Sequence, residues 1–239
     1  MTGVSVRADH AGFAAAARDV FAFEAVIDEI SELRWQVLTV DELMQVAKAY
    51  YFFSIQFREN LEIACRLYPA DSQLQKLREG ECDTDNLSPW PGIAEIGERL
   101  DHDEFMRRLL DLQPIADDDR LTRIGQDYLA LTRSLDEPTR AASIASYEDG
   151  GLTRVFGAFL RASDWQGSGP RAFKFFLEQH ILFDSEGGGG HGALARHLGV
   201  DDRIQPLWTA FRDLLLATVP RLAPEISRTP DRAVEEAAD

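Results

Sequence analysis

Cysteine is scarce in this chain of 239 residues, where Cys65 and Cys82 are the only two. Two cysteines cannot build a disulfide framework, and they are too few for a cysteine-based zinc site. Such low usage fits a reducing compartment, in which structural disulfides are rare.

Long apolar runs are missing as well. No window approaches the roughly 18 uninterrupted apolar residues that a membrane-spanning helix needs. The first ten residues include Arg7 and Asp9 and lack the apolar core of a signal peptide. We therefore expect a soluble cytoplasmic protein without a membrane partner.

Basic residues are outnumbered by acidic ones, with 25 Lys and Arg against 41 Asp and Glu, for a net charge of −16. This balance argues against affinity for nucleic acid or for anionic membranes. With 45% hydrophobic residues the chain can bury a sizeable core. We expect one helical domain over residues 1–224, followed by an acidic, disordered tail over 225–239.

Alternating β patterns bounded by turn signals are absent, whereas apolar residues recur at helical spacing along most of the chain. Thr39 followed by Glu42 is a capping-box pattern that predicts the start of a long helix. The sequence therefore predicts an all-α bundle of seven to eight helices. They are placed at about 11–33, 39–67, 71–78, 93–112, 120–134, 137–162, 170–185 and 201–222.

Histidine is also rare, with five residues in all, so the surroundings of each one are informative. His180 and Asp184 lie four apart within the largely apolar, aromatic stretch at 175–186. In a helix both side chains project from one face. They form either a buried hydrogen-bonded pair or two ligands of one metal ion.

Two further segments of the sequence contain possible metal ligands. Glu95 and His102 are seven residues apart, which places them on one face of a helix two turns apart. Glu148 follows a stretch of small and apolar side chains, where a carboxylate is costly unless it is paired or bound to metal. The alternatives are an exposed helix turn for the first pair and a helix-edge acid for Glu148.

Together these positions resemble the haem-oxygenase-like dimetal oxidases, the non-haem iron branch of the TenA/PqqC-like helical fold. That family carries Glu-x6-His on one helix, a lone Glu on a later helix, and His-x3-Asp-x2-His on another. Glu95 and His102 match the first element, Glu148 the second, and His180 with Asp184 the third as far as it goes. The resemblance covers roughly residues 10–222.

The chain departs from the family pattern after Asp184, since position 187 is glycine and the next histidine is His191. Four consecutive glycines, at 187–190, cost about 1 kcal/mol each in a helix, so the helix should end there. A looped insertion would then fold His191 back toward the site. Glu186 or water is the alternative ligand.

The resemblance implies a haem-oxygenase-like fold and an oxidoreductase with two iron ions, manganese being possible. It implies activation of O₂ toward a small amine or carboxylic acid, by N-oxygenation, desaturation or oxidative C–C cleavage, and it implies a homodimer. The metal ligands would be Glu95, His102, Glu148, His180, Asp184 and His191. Aromatic residues near them could line a substrate pocket or be plain core: Tyr147, Phe176 and Phe183.

Several alternatives stay open. A metal-free, PqqC-like oxidase is one, because the loss of one ligand could mean the loss of the metal. A catalytically degenerate helical ligand-binding protein is another. A ferritin-like di-iron bundle is set aside, because none of the five histidines has a glutamate three residues before it.

Overall fold

The computed structural model describes residues 21–185 and 191–224, and this part of the chain is all-helical, with two isolated β-bridges and no strand. Tyr147–Gly151 forms a π-helical turn. The helices are α1 (Ala22–Glu32), α2 (Val40–Leu67), α3 (Ser72–Glu81), α4 (His102–Asp111), α5 (Asp118–Arg133), α6 (Glu137–Ser146), α7 (Leu152–Phe159), α8 (Ser168–Ser185), α9 (His191–Ala195) and α10 (Gln205–Thr218). The expected tail at 225–239 lies outside the described residues.

Helix α2 is the central element of the bundle. Its predicted capping box is confirmed: the Thr39 hydroxyl accepts from the Glu42 N–H at 3.3 Å, and the Glu42 carboxylate accepts from the Thr39 N–H at 2.9 Å. Buried residues recur around its circumference from Leu43 to Ala64. The helix is therefore enclosed by its neighbours, which are α3, α4, α5, α6, α8 and α10.

Most of the buried apolar side chains of the described residues form one continuous cluster that runs from α1 to Leu222, just after α10. Aromatic rings are prominent in it, and the Tyr50 ring lies 5.4 Å from Phe156 and 5.5 Å from Phe176. In the described ranges, no helix combines the length and the apolar character needed to cross a membrane. The core positions α3, α4, α8, α9 and the π-helical turn around one polar cluster.

The helix predicted over 93–112 is wrong in its first half, because α4 begins at His102. Gly92 and Gly97 have positive φ angles of 81° and 72°, which a helix cannot accommodate. Glu95 lies in a turn between them, with its N–H donating to the Glu98 carboxylate at 2.8 Å. Glu95 and His102 therefore do not share one face of a helix, contrary to the prediction.

The helix predicted over 137–162 is divided. Asp149 and Gly150 leave helical geometry within the π-helical turn, and Gly150 has a φ of 95°. Two helices, α6 and α7, replace one, so the bundle has more segments than the seven or eight expected. The division falls directly after Glu148.

Candidate metal centre

A carboxylate that the sequence did not single out, Glu81, lies at the centre of the polar cluster. It is the last residue of α3, whose first turn is capped by the Asp71 side chain. Leu74, Leu77 and Glu81 are three and four residues apart, so all three occupy the buried face of α3. Only 6% of Glu81 is exposed, and its two oxygens face two different histidines.

The loop between α3 and α4 brings Glu81 close to His102. Thr84 and Leu100 exchange backbone hydrogen bonds of 3.0 and 2.9 Å, which close the loop at its base. The Asp83 N–H also donates to the Asp101 carboxylate at 2.8 Å. These contacts hold the end of α3 beside the start of α4, so two ligand candidates 21 positions apart become neighbours.

The first group of ligand atoms consists of Glu81, His102 and His180. His102 Nδ1 lies 2.7 Å from Glu81 Oε2 and 2.9 Å from His180 Nε2. The other nitrogen of each ring has a hydrogen-bond acceptor: Phe176 O lies 2.8 Å from His180 Nδ1, and Asn86 Oδ1 lies 3.0 Å from His102 Nε2. Both rings are buried, with 6% exposure.

These outer hydrogen bonds assign the tautomers of the two rings. The Asn86 amide is oriented because its Nδ2 donates to Gly80 O at 2.8 Å, so Oδ1 must accept from His102 Nε2–H. In the neutral rings His102 Nδ1 and His180 Nε2 then carry lone pairs, and both approach the Glu81 carboxylate. Three acceptor atoms at such distances repel one another unless a cation, either a proton or a metal ion, lies between them.

The second group consists of Glu81, Glu148 and His191. His191 Nδ1 lies 3.0 Å from Glu81 Oε1 and 3.4 Å from Glu148 Oε2. Glu81 Oε1 and Glu148 Oε2 are buried, and the His191 ring approaches both oxygens. A buried carboxylate oxygen is costly without a donor or a cation, so both oxygens favour a bound cation.

Glycines allow His191 and Glu148 to approach this closely. A Cβ on Gly80 would lie 2.8 Å from His191 Nε2, and a Cβ on Gly192 would lie 2.8 Å from Glu148 O. Glu148 itself is presented by the π-helical turn after α6, a feature that often occurs at functional sites. The approach of α9 to α3 and to this turn therefore depends on missing side chains.

The charge states of the cluster reflect burial and mutual contact. Burial, followed by the neighbouring His102, lowers the pKa of His180 to about 3, so this ring is neutral. Burial opposes ionisation of Glu81, but His102 and His191 outweigh it and lower the Glu81 pKa. For His191 burial is likewise outweighed, and Glu148 and Glu81 raise its pKa to about 11. In the absence of a metal ion, His191 holds a proton.

The donor set fits two divalent metal ions. Within each group the ligand atoms all lie within 4.8 Å of one another, and Glu81 belongs to both groups. Two histidines with one carboxylate, as in the first group, are typical of non-haem iron oxygenases. One histidine with two carboxylates suits iron or manganese equally well. Glu81 would therefore be among the residues that hold the metal in both groups.

Comparison with known proteins gives no relative. No protein-family model, no curated protein and no solved structure matches this chain. A functional interpretation therefore rests on the geometry of the cluster.

The structure brings together four of the six predicted ligands: His102, Glu148, His180 and His191. Glu95 does not join them, because it is exposed in the turn that replaces the predicted helix. Asp184 lies one turn after His180 on α8, but its side chain is outside the described residues. Glu81 was missed because the predicted helix stopped at residue 78, whereas α3 continues to Glu81, although the Leu74, Leu77, Glu81 spacing could have revealed it.

The predicted pocket residues have different surroundings. Phe176 stacks on His180 with ring centroids 4.0 Å apart, and Phe183 lies edge-on to the same ring at 5.8 Å. Tyr147 is in the core, where its ring contacts Trp208 at 5.0 Å. A cavity of about 20 Å³ adjoins His102 and His180 and has Phe176, but not Tyr147, in its wall. This volume accommodates a group about the size of one water molecule.

Proposed function

We propose that this protein is a non-haem dimetal oxidoreductase of the haem-oxygenase-like type, which activates O₂ to oxidise a small organic substrate. The observation that carries the proposal is the position of Glu81. Its two oxygens lie 2.7 Å from His102 and 3.0 Å from His191, and each oxygen belongs to a separate buried group of potential ligands. A carboxylate between two such groups is suited to bridge two metal ions.

Each ion would have three ligands from the described residues. Glu81, His102 and His180 would hold the first, and Glu81, Glu148 and His191 the second. Three protein ligands leave coordination positions open for other molecules. Asp184, one helical turn after His180 in the sequence, is proposed as a further ligand on the strength of the family resemblance.

When bound, two ferrous ions would supply the electrons that reduce O₂. The chain itself fixes the ligands and their protonation. Phe176 O and Asn86 Oδ1 accept the outer N–H groups of His180 and His102, which turns the inner nitrogens toward the metal position. The rings of Phe176 and Phe183 cover His180 and limit the access of water.

Anaerobic loading with Fe(II) tests the proposal. We expect about two iron ions per chain, and consumption of O₂ when the loaded protein is exposed to air. Glu81→Gln should reduce iron content to less than half an ion per chain, because it removes a charged ligand from both groups. His180→Ala and Glu148→Ala should each leave about one ion.

Glu95→Gln is the matched control, since it makes the same chemical change at an exposed turn. It should retain two ions. If Glu95→Gln loses iron and Glu81→Gln keeps it, the ligand assignment is wrong.

A metal-free function is the second candidate. The short contacts of His191 with Glu81 and Glu148 would also suit a protonated imidazole between two carboxylates. A PqqC-like oxidase or a helical ligand-binding protein could use such a cluster without metal. Failure of the wild-type chain to bind iron, manganese or zinc would favour this alternative.

A further inference from the structure

The cavity beside His102 and His180 has a charged wall that the metal ligands do not use. Arg58 from α2 and Asp103 from α4 line it together with the two histidines. Arg58 Nε donates to Asp103 Oδ2 at 3.0 Å. Only 12% of the Asp103 side chain is exposed. This ion pair therefore lines the same cavity as two of the candidate metal ligands.

One carboxylate oxygen of Asp103 has no hydrogen-bond donor among the described residues, whereas Arg58 already donates to two carboxylates. The other oxygen of Asp103, Oδ1, is buried and makes no hydrogen bond with the described residues. Arg58 is held between two carboxylates, because its Nη1 also donates to Glu62 at 3.0 Å. Arg58 and Asp103 bring one charge of each sign to the wall, but the Arg58 guanidinium is already paired with two carboxylates, so the remaining Asp103 oxygen favours a cation over an anion.

The remaining wall consists of three aromatic rings together with Ser54 and Leu152. Tyr50, Phe57 and Phe176 line the cavity, and the faces of such rings attract cations. A buried carboxylate oxygen without a donor, combined with aromatic rings, suits an ammonium group, which offers several N–H donors and a positive charge. The cavity volume of about 20 Å³ suits a group of this size.

We propose that this cavity binds the ammonium group of a primary amine, with Asp103 as the residue that selects an amine over a carboxylic acid. The role of the amine as substrate rests on the proposed oxidase function, whereas the binding itself does not. A bound ammonium would adjoin His102 and His180. The ammonium and the carbon that carries it would therefore be the part of the molecule nearest to the first group of ligands.

Binding of small probes to the full chain tests this inference. Ethylammonium, acetate and ethanol have similar sizes and differ in charge, and their dissociation constants can be measured by NMR titration. The wild-type chain should bind ethylammonium at least about tenfold more tightly than acetate or ethanol. Asp103→Asn should weaken ethylammonium binding about tenfold, because the charge of the acceptor is lost.

Asp111→Asn is the matched control, because Asp111 lies on the same helix with 71% of its side chain exposed. It should leave ethylammonium affinity unchanged. Equal or tighter binding of acetate by the wild-type chain would overturn the inference. An unchanged ethylammonium affinity in a folded Asp103→Asn variant would do the same.

A second variant covers the case in which Asp103→Asn fails to fold. Ser54 is buried in α2 and lines the cavity, so Ser54→Leu should fill it and abolish ethylammonium binding while Asp103 remains. Undiminished binding would place the ammonium elsewhere and overturn the inference. Each titration is made with metal-free and with iron-loaded chain. Iron content reports on the oxidase proposal, whereas ethylammonium binding to the metal-free chain reports on the cavity alone.

Discussion

At the scale of single residues, the candidate centre depends on Glu81 and on the glycine before it. Gly80 lies within α3, where glycine is less favourable than alanine by about 1 kcal/mol. A Cβ at this position would approach His191 Nε2 to 2.8 Å, which is closer than normal contact. Gly80 thus lowers the local stability of the helix but allows His191 to approach Glu81.

These two effects of Gly80 predict that its replacement by alanine changes stability and metal content in opposite directions. Gly80→Ala should leave the melting temperature of the metal-free protein unchanged or raise it, because alanine favours the helix. It should lower iron content from about two ions per chain toward one, because the displaced His191 no longer serves the second group. Circular dichroism melting and iron analysis measure the two effects. Retention of two ions would contradict the assigned role of His191.

The sequence located the site residues that a local pattern could indicate. His102 and His180 were identifiable because histidine is rare, and Glu148 because it follows a stretch of small, apolar residues. Glu81 was not identified, because its burial depends on whether α3 continues through Gly80. A glycine near a helix end usually marks that end. Here the His191 ring, from a distant segment, occupies the space beside Gly80.

At the scale of elements, the π-helical turn between α6 and α7 presents Glu148 to the cluster. Gly150 in this turn has a φ of 95°, an angle that other residues rarely adopt. No atom lies within 4 Å of the position that its Cβ would take, so a side chain there meets only backbone strain. Backbone conformation, and not side-chain packing, therefore restricts which residues can occupy position 150.

Gly150→Ala should lower the free energy of unfolding by about 1–2 kcal/mol, as measured by urea denaturation. Gly157→Ala is the matched control, because Gly157 lies within α7 and its Cβ position is equally open. That substitution should stabilise the protein by up to about 1 kcal/mol through helix propensity. Equal effects of the two substitutions would mean that the turn is not held in its unusual conformation.

The elements that carry strong local signals were predicted well from sequence, and the others were not. The capping box at Thr39 fixed the start of α2, because Thr39 and Glu42 satisfy each other's backbone groups locally. The stretch before His102 had helical spacing but adopts turns. Contacts from outside the stretch hold it there, such as the hydrogen bond of 2.9 Å that the Arg108 guanidinium on α4 donates to Ile93 O. A single sequence does not reveal such contacts.

At the scale of the whole molecule, the centre is assembled from five segments that are far apart in the chain. Glu81 ends α3, His102 begins α4, Glu148 lies in the π-helical turn, His180 is on α8 and His191 begins α9. The core that packs these segments together therefore also sets the distances between the ligands. Metal binding and folding should be linked, since a bound ion stabilises only the folded chain.

This linkage predicts a pH dependence of metal binding. Burial lowers the pKa of His191, but Glu148 and Glu81 outweigh it and raise the value to about 11. Its proton must leave when metal binds, so affinity at the second group should rise about tenfold per pH unit below that value. The pKa of His180 is lowered to about 3, chiefly by burial, so this ring adds no slope near neutral pH. Calorimetric titration in buffers of different ionisation enthalpy measures the protons released.

The same shift predicts how the stability of the metal-free protein varies with pH. The folded chain holds the His191 proton up to about pH 11, whereas an unfolded histidine releases it near pH 6.5. The contribution of His191 to stability is therefore fully present below about pH 6.5 and is lost as pH rises toward 11. His191→Gln should remove this dependence. An unchanged pH profile in urea denaturation would contradict it.

The central claim is that Glu81 bridges two metal ions, and a crystal structure of the iron-loaded protein tests it most directly. Anomalous scattering measured at the iron edge locates each ion independently of the protein atoms. We predict two anomalous peaks, one beside each Glu81 oxygen, with His102 and His180 on the first ion and Glu148 and His191 on the second. No peak, or a single peak away from Glu81, would contradict the claim.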